Sequence, residues 1–148
     1  MITVQPMGRE FSITIEASKK EKLIFKFRQL NYFERNKVAS SSTRYTQGNL
    51  SLDVGLSCFY NLKYALKEVK GLTDDDGKPY KLEFEKGLDE LTDKCVNELL
   101  ACPISNKLLY ISAELGADIP EAILDPVSGK PIEGVEVIPP KKSGSKKK

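Results

Sequence analysis

The sequence contains no histidine and no tryptophan among its 148 residues. Without histidine, the commonest general base and the commonest metal ligand are both missing. Its three cysteines are Cys58, Cys95 and Cys102, and no two of them stand in C-x-x-C spacing. A zinc site of cysteines and carboxylates is thereby left without a ligand pair. On one helix, Cys95 and Cys102 would lie about 10 Å apart, too far for a disulfide. The thiols therefore read as reduced and buried, as in a cytoplasmic protein. No run approaches the ~20 apolar residues of a membrane span, and the start, MITVQPMGRE, lacks the apolar core of a signal peptide.

What is present suits one folded domain: 40% hydrophobic and 30% charged residues. The net charge of +2 hides an asymmetry, because Lys141, Lys142, Lys146, Lys147 and Lys148 crowd the last eight residues. Residues 1–140 hold 18 basic and 21 acidic residues, a net −3, so no basic body face for nucleic acid is implied. Five lysines without arginine or aromatics would give at most a weak, salt-sensitive phosphate contact.

The chain opens with period-two alternation. Phe11, Ile13 and Ile15 alternate with polar residues, and after Ala17–Lys22 so do Leu23, Phe25 and Phe27. Two such runs predict a β-hairpin with one buried face, which must pack on something. Helices are the predicted partners. Asn31 and Glu34 form a capping-box pattern for a helix through about Thr43. Leu52, Gly55, Leu56, Phe59, Leu62, Leu66 and Val69 then recur at helical spacing, with Asn49 as the expected cap and Gly71 as the stop. A third stripe runs Leu88, Leu91, Cys95, Leu99, Cys102. After Pro103 a fourth runs Ile104, Leu108, Ile111, Leu115.

Five of the eight prolines fall between Pro120 and Pro140, which excludes a long helix there; Val135, Val137 and Ile138 suit a short strand or an extended arm. The expected organisation is an α+β domain at 1–118, a proline-rich extended arm at 119–140 and a disordered basic tail at 141–148.

The segment GLTDDDGKPY, Gly71 to Tyr80, is the one place where carboxylates and glycines crowd together. Aligned as a calcium loop with Gly77 at the sixth position, it places Asp74, Asp76 and Glu83 correctly, but Leu72 occupies the first ligand position. As a phosphate loop it has five residues between its glycines instead of four, and Pro79 follows Lys78 where Ser or Thr is needed. A turn is the simpler reading, with Pro79 forcing an extended exit through Tyr80–Phe84. Gly55-Leu56-Ser57-Cys58-Phe59 lacks the last glycine of a nucleophile elbow and falls inside a helix pattern. Glu133 and Glu136 read as solvated. No catalytic, cofactor-binding or metal-binding residue is assigned, and the protein reads as a non-enzyme.

In order, a hairpin is followed by Phe25-Lys26-Phe27-Arg28-Gln29-Leu30-Asn31-Tyr32-Phe33-Glu34-Arg35. A long helix then ends in Val69-Lys70-Gly71-Leu72. The turn Asp74-Asp75-Asp76-Gly77-Lys78-Pro79 comes next, before a helical segment that includes Leu88–Leu100. This succession, over roughly residues 8–115, resembles the tail assembly chaperones of long-tailed (siphovirus-like) bacteriophages and prophages. The resemblance implies a non-catalytic α+β protein of the host bacterial cytoplasm, without cofactors. Its implied partners are the tape measure protein, the tail tube protein and further copies of itself, with no membrane or nucleic acid. The family supplies no single binding residue to carry over. Two alternatives stay open: a structural virion protein of the tail or head–tail joint, and a small regulatory protein associated with nucleic acid.

Overall fold

The computed structural model describes residues 2, 8–116 and 118–140; the lysine tail at 141–148 lies outside them. The first two strands are β1 (Glu10–Glu16) and β2 (Lys22–Arg28), antiparallel as the alternation predicts. Phe11 stands opposite Phe27, Ile13 opposite Phe25 and Ile15 opposite Leu23, so all six apolar side chains share one buried face. A slip of one residue would turn that whole set to solvent, which fixes the register.

Four helices cover this face. They are α1 (Tyr32–Ser42), α2 (Val54–Ala65), α3 (Asp93–Ala101) and α4 (Ser105–Glu114). The capping box of α1 is formed: Glu34 N donates to Asn31 Oδ1 at 2.8 Å, and Asn31 N donates back to the Glu34 carboxylate at 3.0 Å. Leu62, Leu99, Leu108 and Ile111 meet Phe25 and Phe27 in one continuous core. Pro103 falls between α3 and α4, as its missing amide requires. The architecture is α+β, an N-terminal hairpin packed on four helices.

Several boundaries differ from expectation. The long helix predicted through Val69 stops at Ala65, and Leu66–Lys70 becomes a strand, β5, antiparallel to β2. Its cap is Asp53, whose Oδ1 accepts from Leu56 N at 3.0 Å, and not Asn49. Asn49 instead begins β4 (Asn49–Leu52), which pairs with β3 (Thr43–Thr46) in a separate two-stranded hairpin. Helix α3 starts after Thr92, leaving Leu88 exposed in a turn and Leu91 fully buried ahead of the helix. Gly71 does stop an element, the strand β5. At φ +101 it lies so close that a Cβ would meet Leu23 Cδ2 and Lys22 O, both at 2.9 Å.

Residues 119–140 turn back onto the domain. Ile123 is buried, and Val135–Ile138 forms β6, antiparallel to β1. The principal sheet has the order β5-β2-β1-β6.

Candidate docking surface

The acidic turn is occupied with itself. Asp74 Oδ1 accepts from Asp76 N at 2.9 Å and from Lys78 N at 3.0 Å, while Asp74 N donates to Lys78 O at 2.8 Å. Gly77 takes the left-handed φ of 79° that the turn demands. The same device recurs at Asp125, whose Oδ1 accepts from Val127 N at 2.8 Å and whose amide donates to Lys130 O at 2.8 Å. Both turns run from Asp to Gly-Lys-Pro, a repeat legible in the sequence but passed over there. Among the described residues, no group of three His, Cys, Asp or Glu side chains could hold a metal ion.

A second polar cluster is a clamp. Arg28 pairs with Glu34 and Asp89, Lys67 pairs with Asp89, and Lys63 reaches Asp93 at 2.6 Å. These pairs tie the segment before α3 to β2, α2 and β5, and Leu91 N donates to Lys63 O at 2.9 Å beside them. Burial alone would raise the Glu34 carboxyl, but the Arg28 hydrogen bond, the Asn31 amide and the nearby cations hold it below the usual carboxylate range. Burial works against the charged Lys63, and Asp93 outweighs it, so that ammonium is raised.

Cys58 and Cys95 are buried and Cys102 half-buried, all as free thiols. Burial raises the Cys58 thiol. Tyr80 lies 3.3 Å from Cys95 Sγ and donates to Glu98 at 2.9 Å. Burial, Cys95 and Glu98 together raise its phenol, which keeps Tyr80 a donor.

The apolar side chains left uncovered are concentrated around α1 and the β3–β4 hairpin. Tyr32 is 68% exposed, Phe33 75%, Tyr45 72%, Leu50 72%, Leu52 60% and Val54 62%. Helix α1 buries only Val38 and Ser42. Its outer side lines an open groove of about 850 Å³ with Tyr32 and Phe33 at one end and the small residues Ala39, Ser40 and Thr43 at the other. Tyr32, Asn36 and Ala39 follow one another at spacings of four and three, so they form one face of the helix, and Thr43 adjoins it at the start of the next strand.

Beyond Thr43 the hairpin begins. Every residue of β3 and β4 is exposed. Its turn is carried by Gln47 at φ 51° and Gly48 at φ 83°, the positive values that a two-residue hairpin connection uses. Tyr45 stands opposite Leu50 and Thr43 opposite Leu52, so these four share a face, and Arg44, Thr46, Asn49 and Ser51 share the other. Arg44 pairs with Asp53 at 2.8 Å, and Asp53 N donates to Ser42 O at 2.6 Å, which fixes the hairpin at its base. This hairpin escaped the sequence reading, which assigned Leu52 to the stripe of α2.

Among the described residues, no helix is long and apolar enough to cross a membrane. Compared with known proteins, the chain matches no family model, no curated protein and no solved structure.

Proposed function

We propose that this protein is a non-catalytic assembly chaperone of the kind made by long-tailed bacteriophages, acting in the host cytoplasm on the tape measure protein and assisting assembly of the tail tube. The observation that carries the reading is the groove along α1, in which Tyr32 and Phe33 stand exposed at one end, Asn36 and Lys37 follow, and the small Ala39, Ser40 and Thr43 close the other. A tape measure protein presents long apolar helical faces. A chaperone that masks one reversibly needs an open groove with exposed aromatic anchors, which the adjacent Tyr32 and Phe33 supply. The succession of N-terminal hairpin, capped helix α1 and acidic turn supports the same family, although the helix expected through Val69 ends at Ala65 and gives way to β5.

The test is co-expression with the tape measure protein encoded in the same genome. Co-purification is expected, and Phe33→Glu should weaken it at least tenfold while leaving the fold intact, because Phe33 lies outside the core. Failure of the native pair to associate would overturn the reading. So would recovery of this protein in purified virions at structural stoichiometry, which belongs to a virion component.

A further inference from the structure

The β3–β4 hairpin is shaped with care and then left uncovered. A two-stranded hairpin standing alone is marginal in water, because it buries too little to offset ordering its chain. Here the turn residues adopt left-handed angles, and Asp53 secures the base through Ser42 and Arg44. Yet all eight strand residues remain exposed. We propose that the apolar face of this hairpin, Thr43, Tyr45, Leu50 and Leu52, is where a second copy of this chain docks, in a two-fold symmetric dimer.

Three observations favour a second copy over another occupant. The face carries no charge, and the hairpin's one ionic side chain, Arg44, lies on the opposite side and is matched by Asp53. A surface meeting its own copy must avoid like charges, and this one does. The face also joins an aromatic to aliphatics, Tyr45 beside Leu50 and Leu52, the mixed apolar surface that an isologous two-fold contact lays against itself. The area fits as well. Tyr45, Leu50 and Leu52, each more than half exposed, and the exposed Thr43 present at most roughly 500 Å² per copy, or about 1,000 Å² for the pair. That meets the lower bound of a specific interface and corresponds to a weak, reversible dimer. The inference rests on the hairpin alone and does not depend on which protein enters the α1 groove.

The test is sedimentation of the full chain over a concentration series. The native protein is expected to pass from monomer to dimer in the micromolar range. Leu50→Glu should remove the dimer, and Ser51→Glu, on the opposite face of the same strand, should leave it. Gln47→Asn, which suits the turn better, should tighten association and guards against the chance that Leu50→Glu acts by melting the hairpin. A native protein that stays monomeric at several hundred micromolar would overturn the inference. So would equal effects of Leu50→Glu and Ser51→Glu. Loss of tape measure binding in Leu50→Glu with no change in mass would overturn it in favour of that protein as the occupant.

Discussion

The Asp53 amide donates to the Ser42 carbonyl across 2.6 Å, joining the end of α1 to the start of α2 at the foot of the β3–β4 hairpin. The same residue caps α2 through its carboxylate and pairs with Arg44. Asp53→Ala is expected to lower stability by about 1 kcal/mol, the usual cost of a lost cap. Asp53→Asn can still cap and forfeits only an exposed ion pair, so it should cost less. Urea denaturation of the three proteins checks the order; equal losses would mean that the ion pair, not the cap, dominates.

Gln47 holds a positive φ of 51° that asparagine tolerates better. Gln47→Asn should slow amide exchange across Thr43–Leu52 and add about 0.5 kcal/mol at most, since no tertiary contact changes. Faster exchange in the variant would show that the Gln47 side chain does something the backbone angles do not reveal.

Glu34 is held below the usual carboxylate range by Arg28 and the Asn31 amide. Its folded pKa is depressed, so its contribution is full above the ordinary glutamate value of about 4.3 and is lost as pH falls through the lower folded value. Glu34→Gln should therefore destabilise the protein at neutral pH and flatten the acid limb of its stability profile. Thermal melts from pH 7 to pH 3 measure this, and parallel curves for the two proteins would refute the assignment.

Asp74 and Asp125 each spend a carboxylate on their own turn. Asp74→Ala and Asp125→Ala should each lose roughly 1 kcal/mol, the net worth of such hydrogen bonds. Asp75→Asn, with no such bond assigned to it, should be close to neutral. Millimolar calcium should leave the melting temperature of the native protein unchanged; a rise of several degrees would reinstate the calcium reading.

Leu91 is fully buried although it precedes α3, and the ion pairs of Asp89 and Asp93 flank it. Leu91→Ala is expected to cost 2–5 kcal/mol, the range for truncating a core leucine. Calorimetry decides; a loss below about 1 kcal/mol would mean that the segment relaxes to fill the space.

The buried parts of the fold were the legible parts. Phe11, Ile13, Ile15, Leu23, Phe25 and Phe27 alternate strictly and form the hairpin as read. The extension of α2 misled for a geometric reason. Leu66 pairs with Phe27 and Val69 with Phe25, and a register shift between Lys26 and Phe27 lets β5 take an extra residue there. Two apolar residues three apart thus share a strand face, a spacing that otherwise signals a helix. The β3–β4 hairpin was illegible because none of its residues is buried, so no core imposes a pattern on it, and Gln47-Gly48 is a weaker turn signal than Asn-Gly. The docking surface was missed for the same cause: hydrophobic patterning reports what is covered, and this surface is what the fold leaves bare.

The pairing of β6 with β1 bears on how the chain is made. Ile138 lies opposite Ser12, so more than a hundred residues must be translated before the sheet can acquire its last strand. At 5–20 residues per second, the outer edge of β1 waits on the ribosome for about ten seconds. Its unpaired amides and carbonyls are meanwhile a template for any extended strand nearby, including that of a sister nascent chain on the same messenger.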